Sequence, residues 1–300
     1  MTPAWLLALL LAGCATSTPE TTAACHAERV AEVPILLRQG ALLVPARIAG
    51  APVTMLLDTG AERSMISPAE AAAARLSVIR GRTTIIVGTG GQVAAPTVLL
   101  HGLEFGRFEF PAAPAAVAEL PAGFSANPPV AGVIGGEVLS SFDLDFDFPN
   151  RRLTLWTVQN CNENFTPIKT SHSTVALLRT RSHRFLLPVE LDGHRVQALF
   201  DTGANASRIT RDAALAAGVP PEALAHDLPV RGAGAGALAF RGVNHHFDSV
   251  TIGGAIFHDI PVSVVDLPIA EATMLLGIDY MQHRRIWLSY ATHRAFIASP

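Results

Sequence analysis

Short apolar runs separated by glycine-containing turns set the pattern of this chain. Residues 42–48 and 53–57 form one pair of such runs, and residues 184–191 and 195–200 form another. Runs of this length that are rich in Val, Leu and Ile and bounded by turn residues are typical of β-strands. The pattern therefore predicts a mostly β protein in which strand pairs recur.

Helix signals are few and brief. The segment Ser67-Pro68-Ala69-Glu70 combines a capping box with proline at the first helical position, and the alanines after it predict a helix ending near Leu76. Thr210 is placed to cap another helix, which Gly218 would close. The helices are thus predicted as short elements between strands.

The strand pattern occurs twice with the same landmarks. Each strand pair runs into Asp-Thr-Gly, first as Leu57-Asp58-Thr59-Gly60-Ala61 and then as Phe200-Asp201-Thr202-Gly203-Ala204. The two aspartates lie 143 positions apart, the glycine-rich turns that follow them lie 144 apart, and the later apolar-Gly pairs lie 142 apart. A duplicated unit keeps its offset along its length, so the chain contains an internal repeat.

These landmarks, in this order, resemble those of retropepsin-like aspartic peptidases, here with two lobes in a single chain. The resemblance covers about residues 40–157 and 183–298, and it includes apolar-Gly segments at residues 132–139 and 274–280. It implies a mostly β fold of two similar closed β-barrel lobes with short helices, bilobal with a central cleft. Each lobe would contribute one aspartate to that cleft.

Five segments follow from the motifs and from the composition between them. We expect a signal peptide at residues 1–13, followed by a lipidated cysteine with a flexible tether at residues 14–33. A first retropepsin-like lobe is expected at residues 34–158, a linker at 159–182 and a second lobe at 183–300.

The two aspartates carry the predicted chemistry. Peptide hydrolysis without a metal or a covalent nucleophile needs one group to take a proton from water and another to give a proton to the scissile carbonyl. Two carboxyl groups about 3 Å apart share a proton and can do both. We therefore predict Asp58 and Asp201 as the catalytic pair of an aspartic endopeptidase that uses no cofactor.

The residues after each aspartate are expected to support the pair. The resemblance implies that Thr59 and Thr202 hydrogen-bond across the lobe interface, while Gly60 and Gly203 allow the tight turn that aims the carboxyl groups.

Alanine follows each of these glycines. Ala61 and Ala204 stand where pepsins carry Ser or Thr, whose hydroxyl helps to hold the carboxylate charged. Without that hydrogen bond the pKa values of the pair should rise, which predicts an optimum of about pH 5 to 7 rather than about pH 2.

Two glycine-rich tips are candidates for flaps that cover an extended peptide substrate. They are Gly88-Thr89-Gly90-Gly91 and Gly232-Ala233-Gly234. Neither has the Lys-Ser/Thr of a phosphate-binding loop, and no tyrosine lies in or beside either tip, in contrast to the pepsin flap. Glycine gives a mobile cover its backbone freedom and lets it approach the substrate closely.

Two other arrangements remain open. The chain could be an inactive, envelope-anchored module that binds peptides in the same cleft, although two facing buried carboxyl groups cost free energy unless they share a proton. Each lobe could also pair with a lobe of another chain. The short linker and the matching motifs favour pairing within one chain, so we expect a monomer.

The start of the chain predicts export. Residues 4–12 are apolar, too few to span a bilayer but long enough for a signal peptide, and Leu11-Ala12-Gly13-Cys14 resembles a bacterial lipobox. Lipidation of Cys14 would hold the protein at the membrane facing the periplasm, and Ala15 points to the outer membrane of the cell envelope. A plain secretory peptide with an incidental cysteine is the alternative.

Two further cysteines, Cys25 and Cys161, flank the first lobe. An exported protein can form disulfides, and these ends would meet if the terminal strands of the lobe pair. Free buried thiols are the alternative.

Charge and composition argue against other classes of function. A net charge of −3 and the lack of any lysine- or arginine-rich run give no basis for nucleic-acid binding. His245-His246 and His258 complete no metal-ligand spacing, and adjacent residues of a strand face opposite ways, so no metal is expected. Asp143, Asp145 and Asp147 alternate with apolar residues, which predicts a solvated strand face rather than a calcium loop.

Overall fold

The computed structural model describes residues 24–88, 91–120, 128–233, 239–266 and 271–298. In the first half of the chain the strands and helices are β1 His26–Pro34, β2 Leu36–Arg38, β3 Ala41–Ile48, β4 Ala51–Leu57, β5 Met65–Ile66, α1 Pro68–Ala73, β6 Val78–Gly88, β7 Gly91–Leu100, β8 Leu103–Phe105, β9 Phe108–Glu109, β10 Ala113–Val117, β11 Val130–Ile134, α2 Gly136–Leu139, β12 Asp143–Asp147 and β13 Arg152–Gln159.

The second half follows a similar order with eleven strands instead of thirteen and three helices instead of two. Its elements are β14 His172–Ala176, β15 Leu178–Arg179, β16 Phe185–Leu191, β17 His194–Phe200, β18 Arg208–Thr210, α3 Arg211–Ala216, α4 Pro221–His226, β19 Leu228–Ala233, β20 Ala239–Ile252, β21 Ala255–Val265, β22 Met274–Leu276, α5 Ile278–Met281, β23 Arg285–Ser289 and β24 Arg294–Ala298.

Each half builds a barrel. In the second lobe the strand order is β15-β16-β17-β22-β18-β21-β20-β19, and an additional pairing of β16 with β20 closes the ring. In the first lobe the order is β6-β7-β10-β5-β11-β4-β3-β8-β9. β7 and β8 lie near opposite ends of this order, but they follow one another in the chain with only His101 and Gly102 between them. The chain itself therefore closes the ring. The predicted fold of two similar closed β-barrel lobes with short helices is confirmed.

A six-stranded sheet joins the two lobes. Its order is β1-β13-β12-β23-β24-β14, so each lobe supplies three strands. The central pair, β12 with β23, is antiparallel and aligns Asp145 with Trp287. These two residues lie 142 positions apart, so each occupies the same place in its own repeat. The pseudo-two-fold relation between the lobes therefore passes through this pair.

One continuous core unites the barrels with the shared sheet. Leu144 and Phe146 of β12 and Ile286 of β23 are fully buried in the same cluster as Leu57 and Phe200, which immediately precede the two aspartates. Burial of this apolar surface at about 25 cal/mol per Å² is the main force that fixes the orientation of the lobes. The lobes are thus packed on one another below the cleft.

The strand and helix boundaries near the motifs agree with the sequence patterns. The strand pairs β3–β4 and β16–β17 form as predicted. The side chains of Ser67 and Thr210 accept hydrogen bonds from the backbone N–H groups of Glu70 and Ala213, so both predicted helices begin as expected. The reciprocal half of the capping box is absent there, because the N–H of Ser67 donates to the carbonyl of Ala131 at 2.7 Å.

Two interpretations of polar segments were wrong. The flexible tether was expected to run to residue 33, yet β1 pairs with β13 from His26 to Pro34. The alternating aspartates of β12 are not a solvated face, since the sheet covers all three. Asp145 accepts two hydrogen bonds from Arg285, Asp143 accepts one from the Ser289 hydroxyl, and Asp147 bonds to Arg152. Arg285 and Ser289 belong to the other repeat, and sequence periodicity alone cannot predict such partners.

The predicted linker also contains structure. β14 lies within residues 159–182 and pairs with β24 at the edge of the shared sheet. A disulfide joins Cys25 to Cys161 across 136 positions, where β1 and β13 run side by side. Closing a loop of that length restricts the unfolded chain more than it restricts the folded one. Within the described ranges, no helix is long and apolar enough to cross a membrane.

Candidate active site

The two aspartates sit at the ends of equivalent barrel strands. β11 lies between β4 and β5, parallel to the first and antiparallel to the second. The N–H of Asp58, just after β4, donates to the carbonyl of Ile134 at the end of β11 at 3.0 Å. In the second lobe β22 takes the same place, and the N–H of Asp201 donates to Leu276 at 3.0 Å. The repeat thus presents two loops of identical design.

The side chains of Asp58 and Asp201 meet. Their carboxyl groups lie at the interface of the two lobes, each against the glycine of the opposite loop and close enough to shift the pKa of the other. Oδ1 of Asp58 also accepts from the N–H groups of Gly60 and Ala61, each at 2.9 Å. Oδ1 of Asp201 accepts from Gly203 and Ala204 at 2.9 and 3.1 Å. One oxygen of each carboxyl is thereby held by its own loop, and the pair faces across the cleft.

The threonines lock the loops together across the interface. The hydroxyl of Thr59 donates to the carbonyl of Phe200 at 2.7 Å and accepts from the N–H of Thr202 at 3.1 Å. The hydroxyl of Thr202 donates to Leu57 at 2.7 Å and accepts from Thr59 at 3.0 Å. Both side chains are buried, so all four bonds are shielded from water.

The glycines are required by the closeness of the opposite carboxyl group. A Cβ on Gly60 would overlap the carboxyl of Asp201, and a Cβ on Gly203 would overlap that of Asp58. Each glycine therefore makes room for the aspartate of the other lobe, in addition to allowing the turn.

The environment of the pair favours the protonated form. Burial raises the pKa of Asp58 well above its usual range, and the neighbouring charge of Asp201 raises it further. Burial also raises the pKa of Asp201, while the hydrogen bond from Asp58, the N–H groups of its loop and the positive charge of Arg208 oppose that rise. One proton shared between the two carboxyl groups agrees both with the rise in pKa caused by burial and with the interactions that oppose that rise.

A serine and an acidic residue brace each loop, and the sequence interpretation missed them. Oε1 of Glu137, in α2, accepts from the N–H of Ser64 at 2.7 Å, and the hydroxyl of Ser64 accepts from Gly135 at 3.0 Å. In the second lobe Asp279 accepts from both the N–H and the hydroxyl of Ser207, at 2.7 and 2.8 Å.

A sequence signal for these braces existed. Ser64 and Ser207 are 143 positions apart, and Glu137 and Asp279 are 142 apart. The repeat therefore preserves them at the same offsets as the aspartates. Burial raises the pKa of Glu137, while the hydrogen bonds from Ser64 lower it.

The hairpins form, with different lengths. β6 and β7 pair as far as Gly88 and Gly91, which confirms the first hairpin, and Thr89 and Gly90 at its tip lie outside the described residues. β19 and β20 pair from Leu228 to Ala233, which includes Gly232, and Gly234 lies outside the described part. A Cβ on Gly232 would overlap the ring of Phe240, its cross-strand partner.

The remaining predicted sites lie apart from the cleft or outside the described chain. Cys14 belongs to the latter group. His245 bonds to Asp227 at 2.7 Å, and the more exposed His246 bonds to Asp259 at 2.8 Å, so these neighbours face opposite ways. Among the residues that the structure covers, no group of three or more His, Cys, Asp or Glu side chains is placed to hold a metal ion.

Comparisons with known proteins agree with this geometry. An aspartyl protease family model matches residues 44–138, and the family model of gag-polyprotein putative aspartyl proteases matches residues 187–283. A comparison with curated proteins finds no match. Each family match spans one Asp-Thr-Gly loop and the apolar-Gly segment that braces it.

A solved structure matches both lobes at once. The crystal structure of the aspartic proteinase from Irpex lacteus superposes with a TM-score of 0.53 at 12% identity, covering 91% of this chain and 97% of that chain. Identity this low shows the fold alone. The chain therefore carries two aspartyl protease domains in a pepsin-like fold, which supports a peptidase function in general.

Proposed function

We propose that the protein is an aspartic endopeptidase that hydrolyses peptide bonds with a water molecule activated by Asp58 and Asp201. The observation that carries this proposal is the closeness of two carboxyl groups at the lobe interface, one from each repeat. Two buried carboxyl groups in contact cost stability unless they share a proton. The threonine hydrogen bonds and the glycines that accommodate the opposite carboxyl hold this costly arrangement in place.

The shared proton defines the mechanism. The ionised member of the pair takes a proton from the water as it attacks the scissile carbonyl, and the protonated member gives its proton to the carbonyl oxygen. The resulting tetrahedral diol collapses when the leaving nitrogen receives a proton from the carboxyl that was charged at the start. At the same time the other carboxylate takes a proton from one hydroxyl of the diol, and the C–N bond breaks to release the acid and the amine. The pair ends with one proton, as it began. Backbone N–H groups keep one oxygen of each aspartate fixed throughout.

The substrate, the oligomeric state and the location belong to the same proposal. An extended peptide would lie between the lobes under the two hairpins, and a single chain would suffice because both aspartates come from it. We place the protein in the bacterial cell envelope, facing the periplasm and anchored by lipidated Cys14, with the outer membrane as the favoured site. The Cys25–Cys161 disulfide supports an oxidising compartment.

A peptide library tests this proposal. The protein from residue 24 onward is incubated with a complex mixture of peptides at about pH 6, and new termini are identified by mass spectrometry. We expect cleavage that persists with a metal chelator and with reagents that block serine and cysteine nucleophiles. Loss of cleavage in the chelator would contradict a carboxyl-only mechanism.

The second candidate function is a peptide-binding module that uses the same cleft. It would replace the first if the folded protein bound extended peptides but left the whole library uncut.

A further inference from the structure

Each barrel presents a small apolar cluster beside its aspartate, separate from the main core. In the first lobe Leu56, Met65 and Val133 belong to this cluster, and Ala61 packs against it. We call it the first facing cluster. In the second lobe the equivalent positions are Leu199, Ala204 and Leu275, which we call the second facing cluster.

These clusters lie on the strand face opposite to the core. Leu57 and Phe200, which follow Leu56 and Leu199, are buried in the main core, and successive residues of a strand face opposite sides. In the first lobe the hairpin residue Ile86 also packs against the facing cluster. The facing clusters therefore form the walls beside the aspartates, where side chains of a bound peptide would lie.

One position breaks the symmetry of the two walls. Met65 pairs with Val133 across the first barrel, and Arg208 pairs with Leu275 across the second. Directly paired residues point to the same face of a sheet, and the offset between Met65 and Arg208 is again 143. An arginine in the second lobe thus occupies the place of a methionine in the first.

Arg208 is partly buried, and no carboxylate of the described part of the chain contacts it. Its guanidinium lies 4.8 Å from the ring centroid of Phe240, and one nitrogen donates to Oδ1 of Asn205 at 2.6 Å. Its Nε atom is buried and has no hydrogen-bond partner among the described residues. Within the same residues, Arg208 forms no salt bridge, although the charges of Asp201 and Asp279 act on it.

Packing alone does not explain a partly buried arginine with an unpaired donor at this position. Removing a guanidinium from water is costly when its donors are left unpaired, and the methionine of the first lobe shows that an apolar side chain fits the equivalent place. A carboxylate brought into the cleft would give the terminal nitrogens of the guanidinium a charged acceptor, because arginine presents several donors that match a carboxylate.

We propose that Arg208 selects peptides with an acidic side chain at one position on the second-lobe side of the cleft, opposite an apolar preference set by Met65. The inference rests on the proposed use of the cleft for extended peptides, and it deepens that function by naming the substrate class. It holds equally for cleavage and for binding without cleavage. The acidic side chain would face Arg208 while the main chain passes the aspartates.

The test measures binding rather than cleavage, so that it does not depend on the peptidase activity. Fluorescent decapeptides of alternating Ala and Leu, in which one Glu or one matched Gln is moved through every position, are titrated into the Asp58→Asn variant. We expect Glu to bind about tenfold more tightly than Gln at a single position, and equally elsewhere. Arg208→Met, which copies the first lobe, should abolish the difference.

Two further variants guard against misfolding and non-specific charge effects. Arg208→Lys should keep part of the preference for Glu, and Arg208→Glu should favour Lys over Gln at the same position. Each variant is accepted only if its urea unfolding curve is cooperative. Equal binding of Glu and Gln at every position, absence of any peptide binding, or a preference that survives Arg208→Met would overturn the proposal.

If the preference appears while the wild type leaves the same peptides uncut, the inference stands and the peptidase proposal fails. If the wild type cuts the peptides without regard to the acidic position, the reverse holds.

Discussion

Replacing either Asp58 or Asp201 by Asn is expected to lower kcat/KM for peptide cleavage by about 10⁴-fold or more. Each carboxyl performs its proton transfer only with the other, because one proton passes between them during the reaction. Groups that act as a unit are not additive, so the double variant should be no slower than the slower single variant. The measurement is single-peptide kinetics at about pH 6 with all four proteins.

Loss of activity must be separated from loss of the fold. Burial raises the pKa of Asp58, so at pH values just above the ordinary carboxyl pKa the folded protein keeps a proton that the unfolded chain has released. Stability therefore falls as pH rises from about 4, the ordinary carboxyl pKa, through the raised value. Asp58→Asn removes that cost, so its free energy of unfolding at pH 7 should exceed that of the wild type. A variant that is both stable and as active as the wild type would contradict the assignment.

The second large effect is expected below the cleft, at the buried ion pair between the lobes. Two nitrogens of Arg285 donate to the two oxygens of Asp145, at 3.0 and 2.7 Å, and the Asp145 side chain is 6% exposed. Arg285→Met would leave this carboxylate buried without its counter-ion. We expect the free energy of unfolding to fall by about 2 to 4 kcal/mol, slightly below the range for fully buried pairs because Arg285 is partly exposed. Urea unfolding at pH 7 measures it.

A matched pair exists within the first lobe. Arg152 donates to Asp147 at 3.0 Å, but Asn150 bonds to the same carboxyl, so Arg152→Met leaves Asp147 with a partner. Arg152→Met should lower the free energy of unfolding by less than about 1 kcal/mol. The double variant Asp145→Asn with Arg285→Met should recover part of the loss, since neither partner is then left charged. Equal effects of Arg285→Met and Arg152→Met would show that the interlobe pair has no special role.

The sequence predicts what is local or repeated. Residue patterns of a few positions predict the strand pairs around the motifs, the caps at Ser67 and Thr210, and the hairpin of β6 and β7. The internal repeat also allows predictions about residues far apart in the chain, because equivalent residues share the same offset. The same offset links Ser64 to Ser207, so the braces of the two loops are also predictable from the sequence.

What the sequence could not predict depends on contacts between residues far apart in the chain, some of them in different repeats. β1 and β14 have polar sequences because each lies at an edge of the shared sheet, so they resemble a tether and a linker. Only their pairing with β13 and β24 identifies them as strands. Asp143 and Asp145 of β12 resemble a solvated face in the sequence, because their partners Ser289 and Arg285 come from the other lobe. Arg208 is likewise unremarkable until its place is compared with that of Met65.

The most direct test of the central claim is the pH dependence of kcat/KM for one cleaved peptide, from about pH 3 to 8. A pair that shares one proton loses activity when both carboxyl groups are protonated and when both are ionised, which gives a bell-shaped profile. With both pKa values raised by burial, and with alanines after the glycines, we predict a maximum at about pH 5 to 7. An optimum at or below about pH 3, or a rate that rises with pH without a maximum, would contradict the account.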